Sequence, residues 1–105
     1  MTKIKSRNYL QIKENSPEFI AAVEALGKAV KKAGPLDEKT GQLIQLAAAA
    51  ALRSEGSVHS HVRRALEAGA AAAEIRHTLI LLTSTVGFPT VTAAMSWAED
   101  VLKKD

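Results

Sequence analysis

Cysteine is absent from all 105 residues, which removes disulfides, thiolate metal sites and thiol catalysis together. Aromatic side chains are scarce, with one Trp, one Tyr and two Phe, so no aromatics interleave with basic residues to stack on nucleic-acid bases. Long apolar runs are missing as well. The stretches Leu46–Leu52 and Leu79–Leu82 fall far short of the roughly 18 residues that cross a bilayer. The N-terminal MTKIKSRNYLQ has positive charge but neither an apolar h-region nor a small-residue cleavage site, so the expected location is cytoplasmic, with no membrane partner. One-sided charge is also lacking over most of the chain. Lys3, Lys5, Arg7 and Lys13 against Glu14 account for the whole formal excess of +3. That excess lies in residues 1–15, read as a polar basic arm, and on no candidate recognition helix, so nucleic acid is not an expected partner.

What the chain has is alanine, with Leu, Ile and Val, in patterns of helical period. Ser16-Pro17-Glu18 starts a helix that runs to about Ala33, with Phe19, Ile20, Val23 and Leu26 as its apolar stripe and Gly34-Pro35 as its stop. Asp37 caps a second helix. There Leu43, Ile44, Leu46 and five consecutive alanines leave almost no polar face, which predicts a central, buried element. Gly56 permits a turn before a third helix that ends at Ala68-Gly69. Ile75, Leu79, Leu82 and Val86 give a fourth helix from Ala72 to Val86, and after Gly87-Phe88-Pro89 a fifth opens at Thr90 and runs to about Lys103. No strand pattern of useful length and no fixed-period repeat occurs. The expectation is an all-α domain of about five helices over 16–105. Its core is thin for so short a chain, so a homo-oligomer is expected.

The polar stretch Ser54 to His61, SEGSVHSH, holds the candidate chemistry. Ser57 and His61 are four apart and share a helix face, whereas His59 and His61 are two apart and point to different sides. No carboxylate or thiol is recognised at ligand spacing around them, so metal and cofactor are both read as none. Locally, two readings stand. In one, Ser57 and His61 are a nucleophile and base, although no nucleophile elbow and no orienting carboxylate is evident. In the other, Ser57 caps the third helix and His61 is a satisfied polar residue. His77 is read as structural or partly exposed.

The segments EKTGQLIQLAAAAALRSEGSVHSHVRRALEAGA, AEIRHTLILL and GFPTVTAAMSWAEDVL, in that order, resemble the carboxymuconolactone decarboxylase and alkylhydroperoxidase D-like (AhpD-like) family over about Ser16 to Leu102. The resemblance implies that family's helical fold and assembly as trimers or hexamers. Thiol members carry Cys-x-x-Cys-x-x-x-His, and the register places Ser54, Ser57 and His61 on it, with Gln42 where those members have a glutamate. A serine hydroxyl does not cycle through sulfenic acid and disulfide, and an amide does not take up a proton as a carboxylate does. Thiol peroxidase activity is therefore not expected. The decarboxylases of the family lack the pair too, and keep a histidine in a context like His61-Val62-Arg63-Arg64-Ala65-Leu66.

Two functions follow. The first is non-redox proton-transfer chemistry, as in a lyase or isomerase, on a small carboxylated molecule. His61 would be the acid or base beside Ser57, Ser54 and Gln42, and Arg53, Arg63 or Arg64 would hold the carboxylate. The second is a catalytically inactive oligomeric binding or scaffold module.

Overall fold

A computed structural model describes residues 7–103, all helices and connecting turns with no strand among them. The chain divides into two compact units, residues 7–36 and residues 37–103.

The first unit is a pair of helices, α1 (Arg7–Asn15) and α2 (Pro17–Lys32). The described part of the polar arm is thus helical, an element that apolar periodicity did not mark because α1 buries no residue. The Tyr9 hydroxyl donates to the Glu24 carboxylate, and Lys13 Nζ lies 3.5 Å from the same group. Pro17 opens α2 as expected, but the Ser16 side chain makes no capping bond. Of the predicted stripe, Ile20 alone is buried. Phe19, Val23 and Leu26, with Val30, are between 44% and 63% exposed.

The second unit comprises α3 (Glu38–Ala51), α4 (Glu55–Glu67), α5 (Ala72–Ile80), the single turn α6 (Thr83–Val86) and α7 (Phe88–Leu102). Asp37 caps α3 by accepting a 2.8 Å bond from the Thr40 amide, and hydrogen bonding from the Thr40 side chain, then from its amide, holds the Asp37 carboxyl below the ordinary aspartate value. α3 packs against α4, α5 and α7, and α4 against α7. The core is aliphatic: Leu46, Val58, Val62, Ala65, Ile75, Leu79 and Ala94 are wholly buried. α3 is central but one-sided, since Leu46, Ala49 and Ala50 turn inward while Ile44 remains exposed.

Ion pairs join the helices of this unit. Lys39 Nζ of α3 lies 3.2 Å from the Glu74 carboxylate of α5. Arg76 of α5 grips Glu99 of α7 through two bonds of 2.6 and 3.1 Å. This fork geometry raises the guanidinium pKa and lowers that of the carboxyl.

Three helix boundaries differ from expectation. The fourth predicted helix breaks after Ile80: the Thr83 hydroxyl takes the Ile80 carbonyl at 2.8 Å, and Leu82 bonds back only to Leu79. A side chain competing for a helical carbonyl favours a new turn. The third helix starts at Glu55, with Ser54 at the N-cap position, so Ser57 lies in its first turn and is not the cap. The last starts at Phe88 because Gly87, at φ 94° and ψ 153°, redirects the chain there.

The ends of α3 and α4 follow one motif with different residues. After α4, the Gly69 amide bonds to Leu66 O and the Ala70 amide to Ala65 O, with Gly69 at φ +99°. After α3, the Arg53 amide bonds to Ala50 O and the Ser54 amide to Ala49 O, with Arg53 at φ +56°. Both are Schellman closures, whose left-handed position glycine normally fills. Arginine there carries a steric cost that glycine escapes, offset in part by glycine's greater freedom when unfolded. Arg53→Gly should therefore stabilise the chain by about 0.5–1 kcal/mol, and Gly69→Ala should destabilise it by about 1 kcal/mol. Calorimetric melting of the two variants beside the parent checks both. A fall in Tm for Arg53→Gly would contradict the expected relief.

Candidate functional site

Among the described residues, Gln42 is the one buried polar residue, with no exposed surface. Its neighbours on α3 turn it inward: Leu46, four residues on, faces the core with it, while Glu38, four residues before, sits at the exposed start of the helix. An amide in such a place needs partners for both ends, and it has them. Gln42 Nε2 donates to Glu38 Oε2 at 2.9 Å, and Gln42 Oε1 lies 2.8 Å from His61 Nδ1 on α4. Glu38, Gln42 and His61 thus form a continuous chain from the surface to the imidazole.

The chain fixes proton positions. An ionised carboxylate only accepts, so the amide NH₂ faces Glu38 and the carbonyl oxygen faces His61. That oxygen accepts in turn, so His61 Nδ1 carries the hydrogen and Nε2 carries the basic lone pair of the neutral ring. His61 is half-buried, a setting where an imidazole is shielded yet reachable.

The other predicted residues surround this chain unevenly. Ser57 is half-buried one turn before His61 on α4, and Ser54 is half-buried at the head of the same helix. His61 Nδ1 is bonded to Gln42, not to Ser57, which removes the serine-histidine dyad from that side of the ring. Arg53 is exposed, and its Nη1 donates to Thr90 Oγ1 of α7 at 2.9 Å. Arg64 is exposed and Arg63 half-buried; on a helix, a residue three from His61 lies on its side and one two away does not. His77 is exposed.

Three residues were missed by sequence reasoning, Glu38, Glu55 and Asp100. Glu38 is four before Gln42 on the same helix, a spacing that identifies it once Gln42 is known to face inward. Glu55 stands four before His59, which corrects the reading that no carboxylate lies at ligand spacing from the histidines. His59 Nε2 is 3.0 Å from Asp100 Oδ2 of α7 and 4.0 Å from Glu55 Oε2.

The chain is all-helical over its described residues, carries no cysteine, and sets the histidine of α4 against the inward glutamine of α3. Residues 17–100 match the Carboxymuconolactone decarboxylase family, and the chain belongs to that family. It is 36% identical over 78 residues to MJ1511, an uncharacterized protein of Methanocaldococcus jannaschii, covering 74% of this chain and 73% of that protein. Its fold is similar to the crystal structure of apo-lpg0406, a carboxymuconolactone decarboxylase family protein from Legionella pneumophila. The TM-score is 0.79 at 26% identity, over 91% of this chain and 86% of the other. Among the described residues, no helix is long and apolar enough to cross a membrane.

Proposed function

We propose that this protein catalyses a non-redox proton transfer, of the lyase or isomerase type, on a small carboxylated molecule, with His61 as general acid and base. The observation that carries the reading is the buried Gln42 amide, which holds Glu38 by one end and His61 Nδ1 by the other. A core amide committed at both ends to presenting one imidazole tautomer is the arrangement that acid-base catalysis needs. If the reaction is a decarboxylation, the carbon–carbon bond to the carboxylate breaks and carbon dioxide leaves. The Nε2 lone pair first takes a proton from solvent to form the imidazolium; the electron pair left on carbon then takes that proton from Nε2, and the ring returns to its neutral Nδ1–H form. The Gln42 carbonyl stays on Nδ1 throughout, stabilising the imidazolium while it exists. Arg53 or Arg64 would hold a second carboxylate of the substrate, while Arg63, two residues from His61, faces away from it, and the Ser54 and Ser57 hydroxyls would line the approach to the ring.

The test compares the parent chain with His61→Ala across a panel of small carboxylated lactones and unsaturated acids, following carbon dioxide release and solvent deuterium incorporation. Loss of one general acid-base group should lower turnover by roughly 10²- to 10⁴-fold. Equal turnover in both would remove His61 from the mechanism.

The second reading is a catalytically silent oligomeric module, a trimer or hexamer. The apolar side chains left exposed on α2, at Phe19, Leu26 and Val30, favour it, because apolar residues grouped on one helix seek a partner surface. It predicts no turnover by either chain and association in light scattering.

A further inference from the structure

We propose that Glu55, His59 and Asp100 form a binding site for a divalent ion of the zinc class, separate from the Glu38–Gln42–His61 chain. Each residue offers one ligand atom, and the three atoms lie within 4.8 Å of one another. Glu55 and His59 come from successive turns of α4, and Asp100 is brought in from α7, against which α4 packs.

The arrangement goes beyond an ion pair. His59 Nε2 has at most one proton to donate, and Asp100 Oδ2 at 3.0 Å takes that position. The Glu55 carboxylate nonetheless approaches the same nitrogen to 4.0 Å. One N–H cannot satisfy two anions, whereas a divalent ion replacing the proton is bound by all three groups and neutralised by two of them. Bonds of about 2.0–2.2 Å to zinc place tetrahedral ligand atoms about 3.4 Å apart, so small rotations of two exposed carboxylates bring the cluster to that spacing. The side chains of Glu55 and Asp100 are more than half exposed, and that of His59 is 29% exposed. The ion therefore enters from solvent, and water completes its shell.

The donor set also selects the ion. Imidazole suits zinc, copper, nickel or iron, while magnesium and calcium favour all-oxygen sites. When filled, the site clips α4 to α7 on the helix that also carries His61.

Isothermal titration of the metal-free chain with zinc chloride tests this, beside His59→Ala, Glu55→Gln and His77→Ala. The expected result is one zinc per chain with a micromolar dissociation constant, weakened by about tenfold or more in His59→Ala and Glu55→Gln and unchanged in His77→Ala. Glu55→Gln guards against a folding defect, because it leaves the His59–Asp100 contact between helices in place. Zinc should raise the Tm of the parent chain and not that of His59→Ala, and magnesium should raise neither. No binding at about 100 µM zinc, equal binding by His59→Ala, or half an equivalent per chain, which would mean a site shared between chains, overturns the proposal.

Discussion

Replacing Gln42 with leucine should leave a folded chain whose His61-dependent turnover falls by about two to four orders of magnitude, the scale seen when a catalytic imidazole loses the partner that sets its tautomer. Leucine has nearly the volume of glutamine and suits a site with no exposed surface, so the core stays filled. What disappears is the acceptor at His61 Nδ1, at 2.8 Å, and the donor to Glu38, at 2.9 Å. Without the acceptor the ring loses the bond that favours hydrogen on Nδ1, so the share of the Nδ1–H tautomer should fall. The loss should appear in kcat with little change in KM, since the affected step is proton transfer and not substrate capture. Imidazole ¹⁵N shifts should move from the Nδ1–H pattern toward a mixture of tautomers. A variant that keeps full turnover, with the Nδ1–H tautomer intact, would show that the amide chain does not direct the ring. Gln42→Glu separates polarity from geometry: it preserves an acceptor toward His61 but faces the Glu38 carboxylate with another. Two carboxyl groups at that distance share a proton, and the pH profile of turnover should record that coupled titration.

Leu46→Ala should be the most damaging single truncation of the fold, costing about 3–4 kcal/mol. Leu46 is fully buried at the middle of α3, in one cluster with Val58 and Val62 of α4, Ile75 and Leu79 of α5, and Ala94 of α7. It touches a core made largely of alanine and valine, whose short side chains have little reach to refill the space. A loss of that size is a large share of the roughly 5–15 kcal/mol that stabilises a small domain. The urea midpoint should therefore fall steeply while the slope of the transition stays the same. Ile44→Ala, on the same helix but 52% exposed, should change the stability of the single chain by less than about 0.5 kcal/mol. If the two variants lose equal stability, α3 is not the one-sided element described above.

Helix starts and stops were largely legible in the chain itself, because their causes are local. Pro17, Asp37 and Gly69 each act through their own backbone or a neighbour within a turn. The break at Leu81-Leu82 escaped notice because Ile75, Leu79, Leu82 and Val86 keep helical spacing across it, and the apolar pattern outvotes the threonine hydroxyl that takes the Ile80 carbonyl. Helix α1 escaped for the opposite reason: with no buried residue, it has no apolar stripe to read.

In the site, Gln42 and His61 were placed together by family resemblance, and residue spacing alone would have paired His61 with Ser57. Glu38 was within reach of a spacing argument, but only after the direction of Gln42 was known. Asp100 lies 41 residues from His59 in sequence and reaches it through the packing of α7 on α4, so no local pattern announces it. Arg53 gave no signal either, since its left-handed backbone is where a reader expects glycine.

Ser54 occupies two positions at once. Its amide closes the end of α3 on Ala49, while its carbonyl receives the Val58 amide in the first turn of α4. Between the helix that carries Gln42 and the helix that carries His61 there is no spare residue. Among natural relatives of this chain, length variation should therefore gather elsewhere, as in the connection over 33–36 before Asp37, and avoid 52–54. A single inserted residue there would rotate α4 by roughly a quarter turn or more and carry His61 away from its amide, even if both helices formed unchanged.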